Sequence, residues 1–381
     1  MKSLVILFIA PRYHTNHIGT VRALLNQGHD VHFHVRTKGF IEDHSLIEPK
    51  LFPESWVTIK IRKLFGDGGA NKKRYMPSPI CYWKELKQLN PDLVLIRKHG
   101  LAFTYLAAFY AKFLSCNVFF YGQINSLYFE SFQCKSIIWK LRKLLFYFPL
   151  LVFKSSFITP LLDKRHSPLT LPKYILFLPF VVKTEEKFNY NNSEIRFLTI
   201  GKFTSRKNHL LLVNTVKKLS SEYNFSISII GEVSSEEHKN ELESIKLRIE
   251  SLGLNNTIFI RNNVKYKDMD ELYRNHDVFL LPSRNEPAAI SPLEAMGFGL
   301  PVICTDSCGT KTYIEDGING FIVEADNEDL LKEKMEYFIK DISRVKIMSQ
   351  KAYNYAEVSL SDRNYYKMFQ TMVHKEIKQY K

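Results

Sequence analysis

A chain of 381 residues exceeds what one hydrophobic core ordinarily serves, so two domains are expected. Its 45% hydrophobic content, with only 16 Gly and 15 Pro, excludes a long disordered or low-complexity protein. The five cysteines (Cys81, Cys116, Cys134, Cys304, Cys308) are odd in number and form no CxxC pair, so neither a disulfide framework nor a zinc site is expected and a reducing cytoplasm fits best. The net charge of +14 is uneven: residues 1–180 hold 25 Lys+Arg against 10 Asp+Glu, a net +15, while the remainder holds 28 against 29. A basic half implies an anionic partner, whether nucleic acid, an anionic membrane surface or a phosphate-bearing substrate.

The first apolar run, Ser3–Ala10, meets Arg12 with no small-residue cleavage site and reads as a buried strand rather than a signal peptide. A helix over Ile18–Gln27, a strand over Asp30–Arg36 and a strand over Trp56–Arg62 follow. Next come a helix near Ile80–Leu89, a strand over Asp92–Lys98, a helix over Leu101–Leu114 and a strand over Asn117–Gln123. A long helix around Lys135–Val152 and a strand over Phe157–Leu162 complete the first half. The longest apolar run, residues 144–153, spans ten residues and falls well short of the roughly 20 that cross a bilayer as a helix. Apolar strands separated by helices predict a parallel sheet covered on both faces, one doubly wound domain over residues 1–182.

Residues 183–194 are polar and read as a linker. The alternation then restarts over 195–357 with strands at Ile195–Ile200, Phe225–Gly231, Thr257–Arg261, Asp277–Leu281 and Pro301–Thr305. Helices are expected at His209–Ser220, Ser235–Leu252, Asp268–Asn275 and from Pro292. Residues 358–381, with helical spacing over Asp362–Tyr380, complete the chain. The fold class is therefore α/β with two doubly wound domains, and open parallel sheets bind ligands beyond the carboxyl ends of their strands.

Two segments carry the chemistry. Gly201-Lys-Phe-Thr-Ser-Arg-Lys-Asn208 lies between a strand and a helix, where Gly201 permits close backbone approach and Lys202 and Lys207 supply ammonium groups for a phosphate. Pro282-Ser-Arg-Asn-Glu286-Pro-Ala-Ala289-Ile290-Ser291-Pro292-Leu-Glu294 runs from a buried strand through small residues into a helix. Ser291-Pro292-x-Glu294 has the form of a capping box with proline at the first helical position. The amides around Ala289, Ile290 and Ser291 would then receive a diphosphate and stabilise the charge of a leaving group. Glu294 either bonds back to the cap or, paired with Glu286 eight residues earlier, meets a ribose while Glu286 meets a sugar.

The second segment resembles the E-x7-E signature of family 4 retaining glycosyltransferases, which have the GT-B architecture, and Gly201–Asn208 resembles that family's G-[RK]-x4-K element. Asp306-Ser-Cys-Gly309 and Asp316-Gly-Ile-Asn-Gly320 are similar to its later loops. The resemblance is strongest over residues 195–325 and implies two Rossmann-like domains facing across a cleft, with the last helix packing back on the first domain. It implies that Lys202 and Lys207 bind the diphosphate of a UDP- or GDP-linked sugar, Glu286 the sugar hydroxyls and Glu294 the ribose. No metal and no further cofactor is expected. Lys202 stands where arginine is usual and gives up the bidentate fork. Retention of anomeric configuration follows from the resemblance, with the departing phosphate taking the acceptor's proton.

Arg12-Tyr-His14-Thr-Asn-His17-Ile-Gly19 joins the first strand to its helix, where the family's loop approaches donor and acceptor. His14 is the candidate proton carrier alongside Glu286; His17 either shares that role or bonds the backbone. Gly19, Gln123 and Asn262 are candidate base or acceptor contacts, with Asn262-Asn263 reading equally as a turn, and His99 is a substitute for a histidine that the family carries after a central strand. Lys135–Lys154 mixes basic residues with Trp, Phe and Leu at helical spacing and, with Arg62, Lys63, Lys72, Lys73 and Arg74, suggests peripheral attachment to an anionic membrane face. The expected partners are thus a nucleotide sugar, a glycan or lipid-linked acceptor and an anionic membrane surface, in surface polysaccharide synthesis. The competing readings are an epimerase or phosphorylase of the same architecture and a non-catalytic sugar- or nucleic-acid-binding protein, though no RNA-binding or helix-turn-helix signature supports the last.

Overall fold

The computed structural model describes residues 2–13, 17–38, 43–66, 75–97, 101–122, 155–159, 175–177, 180–185 and 194–378. His14, His99, Gln123, the expected helix over 135–152, and Lys72, Lys73 and Arg74 lie outside the described residues. The chain divides into two compact units, one of Met1–Pro160, Lys164–Val181 and Asp362–Lys381, the other of Leu161–Asp163 and Val182–Ser361.

Unit 1 is built on β1 (Val5–Arg12), β2 (Asp30–Thr37), β3 (Leu93–Arg97), β4 (Asn117–Tyr121), β5 (Ser156–Thr159) and β6 (Ile175–Phe177). These form one parallel sheet in the order β2-β1-β3-β4-β5-β6, so the strand order reverses between β1 and β3. Helices α1 (Ile18–Leu25), α2 (Trp56–Phe65), α3 (Pro79–Leu89) and α4 (Ala102–Phe113) connect them. The core gathers β1, β3 and β4 with α3 and α4, through Leu7, Ile9, Val94, Ile96, Leu86, Ala107 and Phe120.

The segment Trp56–Arg62, expected as a strand, is helix α2 instead. Its Trp-Val-Thr-Ile-Lys-Ile-Arg alternation satisfies a period of two, but among the described residues no strand pairs with it. Ser55 caps the helix, its hydroxyl accepting from the Thr58 amide at 3.2 Å, and the fully buried Thr58 hydroxyl donates to the Met76 carbonyl at 2.9 Å. Local capping and one tertiary anchor decide what the periodicity left ambiguous.

Unit 2 carries β7 (Ile195–Ile200), β8 (Phe225–Gly231), β9 (Ile258–Asn262), β10 (Val278–Leu281), β11 (Val302–Thr305) and β12 (Gly320–Val323), parallel in the order β12-β11-β10-β7-β8-β9. Counted from β7 this is the dinucleotide-fold order 3-2-1-4-5-6, with its reversal between β7 and β10. Helices α5 (His209–Leu219), α6 (Glu236–Ser251), α7 (Met269–Arg274), α8 (Ser291–Gly297), α9 (Glu328–Ile339) and α10 (Ile342–Ser359) cover it. Strand β12, read from sequence as a glycine loop, is an edge strand paired to β11 from Gly320 to Val323. Lys183 and Glu185 are not free linker: Lys183 bonds Asp270 at 2.5 Å and Arg274 bonds Glu185 at 2.5 Å, within unit 2.

The last helix, α11 (Asp362–Lys378), returns to unit 1, where Asp362 accepts from Arg22 of α1 at 3.2 Å and Tyr366 meets His29 at 3.2 Å. Its inward side chains Tyr365, Phe369 and Met372 are fully enclosed. Phe369→Ala should therefore cost about 3–5 kcal/mol, read as a lower urea midpoint; an unchanged midpoint would show that α11 contributes nothing to unit 1.

Candidate active site

The loops that leave β7 and β10 meet at the carboxyl edge of the unit 2 sheet, where its strand order reverses. After β7 the chain makes a short 3-10 turn, Ser205–Lys207, and Asn208 adopts a left-handed conformation (φ 56°) before α5 begins. After β10, Asn285 takes φ 48° and turns Glu286 inward. The two loops are joined by backbone, the Arg284 amide donating to the Arg206 carbonyl at 2.8 Å. Asp326 adds a side-chain tie, accepting from Asn208 at 3.0 Å and from Arg284 at 2.5 Å.

At the junction Lys207 Nζ donates to Glu286 Oε2 at 2.7 Å, and Arg206 donates to the same oxygen. Lys207 and Glu286 are each 7% exposed, so neither charge is hydrated and each depends on the other. The Glu286 carbonyl is held in turn by the Gly309 amide at 2.8 Å. Gly201 is required by this packing: a Cβ there would stand 2.7 Å from Lys207 Cε, so any side chain would push the ammonium away from the carboxylate.

The remaining expected residues divide. Lys202 is half-exposed and pairs with Glu232 at 3.0 Å, at the carboxyl edge beside β8. Ala289 is buried and its carbonyl accepts from Thr310 at 2.8 Å. Ser291 is the first residue of α8 rather than its cap; Ile290 takes the cap position without a side-chain bond, and the Ser291 hydroxyl reaches the Ile200 carbonyl at 3.4 Å. The capping box expected from sequence is therefore absent, because Glu294 turns away from the helix start and accepts from the Tyr273 hydroxyl of α7 at 2.8 Å. Some of the Glu294 side chain reaches solvent, yet its carboxyl is enclosed, and desolvation pushes it up to about 7 despite the Tyr273 bond.

Asn262 ends β9, two strands from β7, and lines an open groove with Arg261, Lys265 and Lys267. Asn263 is a turn residue: at φ 51° its side chain accepts from the Val233 amide at 2.8 Å and donates to its carbonyl at 3.2 Å. The structure thus brings Lys207 and Glu286 together and leaves Asn262 apart from them.

In unit 1 a cavity at the carboxyl ends of β1 and β3 is lined by His17, Thr20, Arg97, Tyr121 and Tyr365 among apolar side chains. Arg97 donates to His17 Nε2 at 2.8 Å, so in this contact that nitrogen holds no proton to give. Gly19 is buried against the chain, since a Cβ would meet the Val181 carbonyl oxygen at 2.3 Å, and this close packing requires a glycine. Arg206, Tyr273, Asp326 and Arg97 were not singled out from sequence. Arg206 alone had a visible signal, as a third basic residue in the loop after β7.

Residues 182–355 match the family model described as glycosyl transferases group 1. Over these residues the chain is similar to the group 1 glycosyl transferases. Mannosylfructose-phosphate synthase of Agrobacterium fabrum strain C58 is 28% identical over 149 residues, 38% of this chain and 32% of that one. The capsular polysaccharide biosynthesis glycosyltransferase CapM of Staphylococcus aureus is 28% identical over 163 residues, 42% of this chain and 41% of its own. The chain thus spans only about a third to two fifths of the length of these curated relatives.

Likeness of fold runs further. A glycosyltransferase from Rickettsia africae superposes with a TM-score of 0.72 at 17% identity, covering 99% of this chain and 100% of that one. HepE of Anabaena, in complex with UDP and glucose, gives 0.73 at 12% identity, covering 98% and 100%. The fold is the GT-B fold with two Rossmann-like domains, as expected from sequence.

Because Glu294 binds its proton more tightly folded than unfolded, it contributes most below pH 4.5 and its contribution is lost as pH rises through about 7. Glu294→Gln should remove that slope. Relative to wild type the variant gains stability between these values, by no more than about 3 kcal/mol, in thermal melts across pH. A parallel pair of profiles would show that the carboxyl titrates as it does in water.

Proposed function

We propose that the protein is a retaining, metal-independent glycosyltransferase of family 4. In this reading it moves a hexosyl or N-acetylhexosaminyl group from a UDP- or GDP-linked donor to a glycan or lipid-linked acceptor, in bacterial surface polysaccharide synthesis. The observation that carries the reading is the buried Lys207–Glu286 pair at the point where the unit 2 sheet reverses. A diphosphate is a ligand that draws Lys207, Arg206 and Lys202 towards itself, and a sugar hydroxyl can then replace a cation on Glu286. Both Arg206 and Lys207 bond Oε2, which leaves Oε1 for the sugar. Glu294, oriented by Tyr273, presents its second oxygen to a ribose. The relatives support the setting: HepE is seen with UDP, and CapM acts in capsular polysaccharide biosynthesis.

Charge decides the chemistry. As the bond from the anomeric carbon to the donor phosphate lengthens, negative charge grows on the diphosphate, and cations in a desolvated site stabilise it more strongly than water would. The leaving phosphate oxygen takes the proton of the attacking acceptor hydroxyl, so the protein supplies no strong base. With His17 occupied by Arg97, this step asks nothing of it.

A panel of nucleotide diphosphates and sugar nucleotides, read by thermal shift, tests the proposal. A ligand present at 100 times its Kd should add about 2.7 kcal/mol, with one base preferred and no change on chelating divalent metal. Lys207→Ala should weaken that ligand by about 10- to 100-fold, the loss of one charge-assisted bond. A folded wild type stabilised by no nucleotide would overturn the donor reading.

A further inference from the structure

Helix α2 is inside out. Its inward residue is the polar Thr58, fully buried, while Trp56, Ile59 and Leu64 are 67%, 44% and 73% exposed. At 100° per residue, Ile59, Lys63, Trp56, Lys60 and Leu64 fall in succession over about 140° of the helix surface. This is one continuous face of three large apolar side chains and two lysines; Phe65, 63% exposed, lies about 100° further round at the end of the helix. The helix contains no acidic residue. Lys60 Nζ lies over the Trp56 ring, 5.0 Å from its centroid, so ammonium and indole sit together on this exposed face. Helix α6 shows the ordinary arrangement, with Leu242, Ile245 and Ile249 buried.

We propose that this face of α2 is the surface by which the protein rests on an anionic bilayer, with Trp56, Ile59 and Leu64 entering the headgroup layer and Lys60 and Lys63 meeting lipid phosphates. The occupant follows from charge and shape. A second copy of the chain, joined through the same patch about a two-fold axis, would set lysines against lysines. A bilayer takes apolar tips and ammonium groups side by side, and the first 180 residues carry the net +15 that an anionic surface attracts. At ten residues, about 15 Å long, α2 lies along the interface; among the described residues no helix is long and apolar enough to cross a membrane. The support beneath it is firm. The Ser55 amide donates to the Met76 carbonyl at 3.2 Å and the Ser78 amide to the Pro53 carbonyl at 2.7 Å, which ties the start of α2 to the start of α3, where Ile80 is also 69% exposed. The inference concerns unit 1 alone and does not rest on the donor reading.

Sedimentation with phosphatidylglycerol-containing vesicles at low salt, against pure phosphatidylcholine, tests it. The full chain should bind the anionic vesicles, weaken with added salt and ignore the neutral ones. The double variants Trp56→Ser/Leu64→Ser and Lys60→Gln/Lys63→Gln should each reduce partitioning about tenfold or more. All four side chains are on the surface, and an unchanged unfolding temperature confirms that each variant folds, whether or not any nucleotide binds. Absence of wild-type binding, equal binding to neutral vesicles, or undiminished binding by both variants would each overturn the proposal. So would concentration-dependent association in vesicle-free buffer that Trp56→Ser/Leu64→Ser abolishes, since the face would then cover a second copy.

Discussion

The buried pair Lys207–Glu286 sets the terms for the loops around it. Two charges removed from water cost several kcal/mol each unless they are well paired, so the chain must hold both ends of the pair in place. It does so by backbone, through Arg284 and Arg206, and by the Asp326 carboxylate that ties Asn208 to Arg284. Gly201 supplies the space in which the lysine lies. The result is a fixed arrangement in which Lys207 and Arg206 neutralise the Glu286 carboxylate.

A second buried carboxyl solves the same problem differently. Among the described residues no cation pairs with Glu294, which accepts from the Tyr273 hydroxyl, so burial raises its affinity for a proton instead of being offset by a counterion. Two glutamates on one loop-helix segment thus have opposite electrostatic characters, one held by cations and one poised near neutrality. This difference suits one to charged work at the sugar and the other to hydrogen bonding at a ribose, within the function proposed here.

Unit 1 follows another logic. Helix α2 sets exposed apolar side chains beside basic ones, while the sheet carries a cavity at the reversal between β1 and β3. Within the function and the surface proposed here, nucleotide chemistry belongs to one unit and attachment to the other.

Much of this was legible in the sequence, because both sheets are built from continuous apolar strands whose burial demands helices on either face. The alternation, its restart after residue 194, and the placing of Lys207 and Glu286 in two strand-end loops follow from order and residue type alone; that the two bond each other is decided by the fold. Tertiary contacts decided the rest. Trp56–Arg62 has the pattern of a strand, but among the described residues no strand pairs with it, and the Ser55 cap and the Thr58–Met76 bond hold it as a helix. Ser291-Pro292-x-Glu294 has the pattern of a cap, but Tyr273, 21 residues away, offers Glu294 a better partner. Gly19 packs against Val181, more than a hundred residues on, a contact that no local pattern shows. A local pattern reports which bonds a segment can make; only the folded chain decides which distant group competes for them.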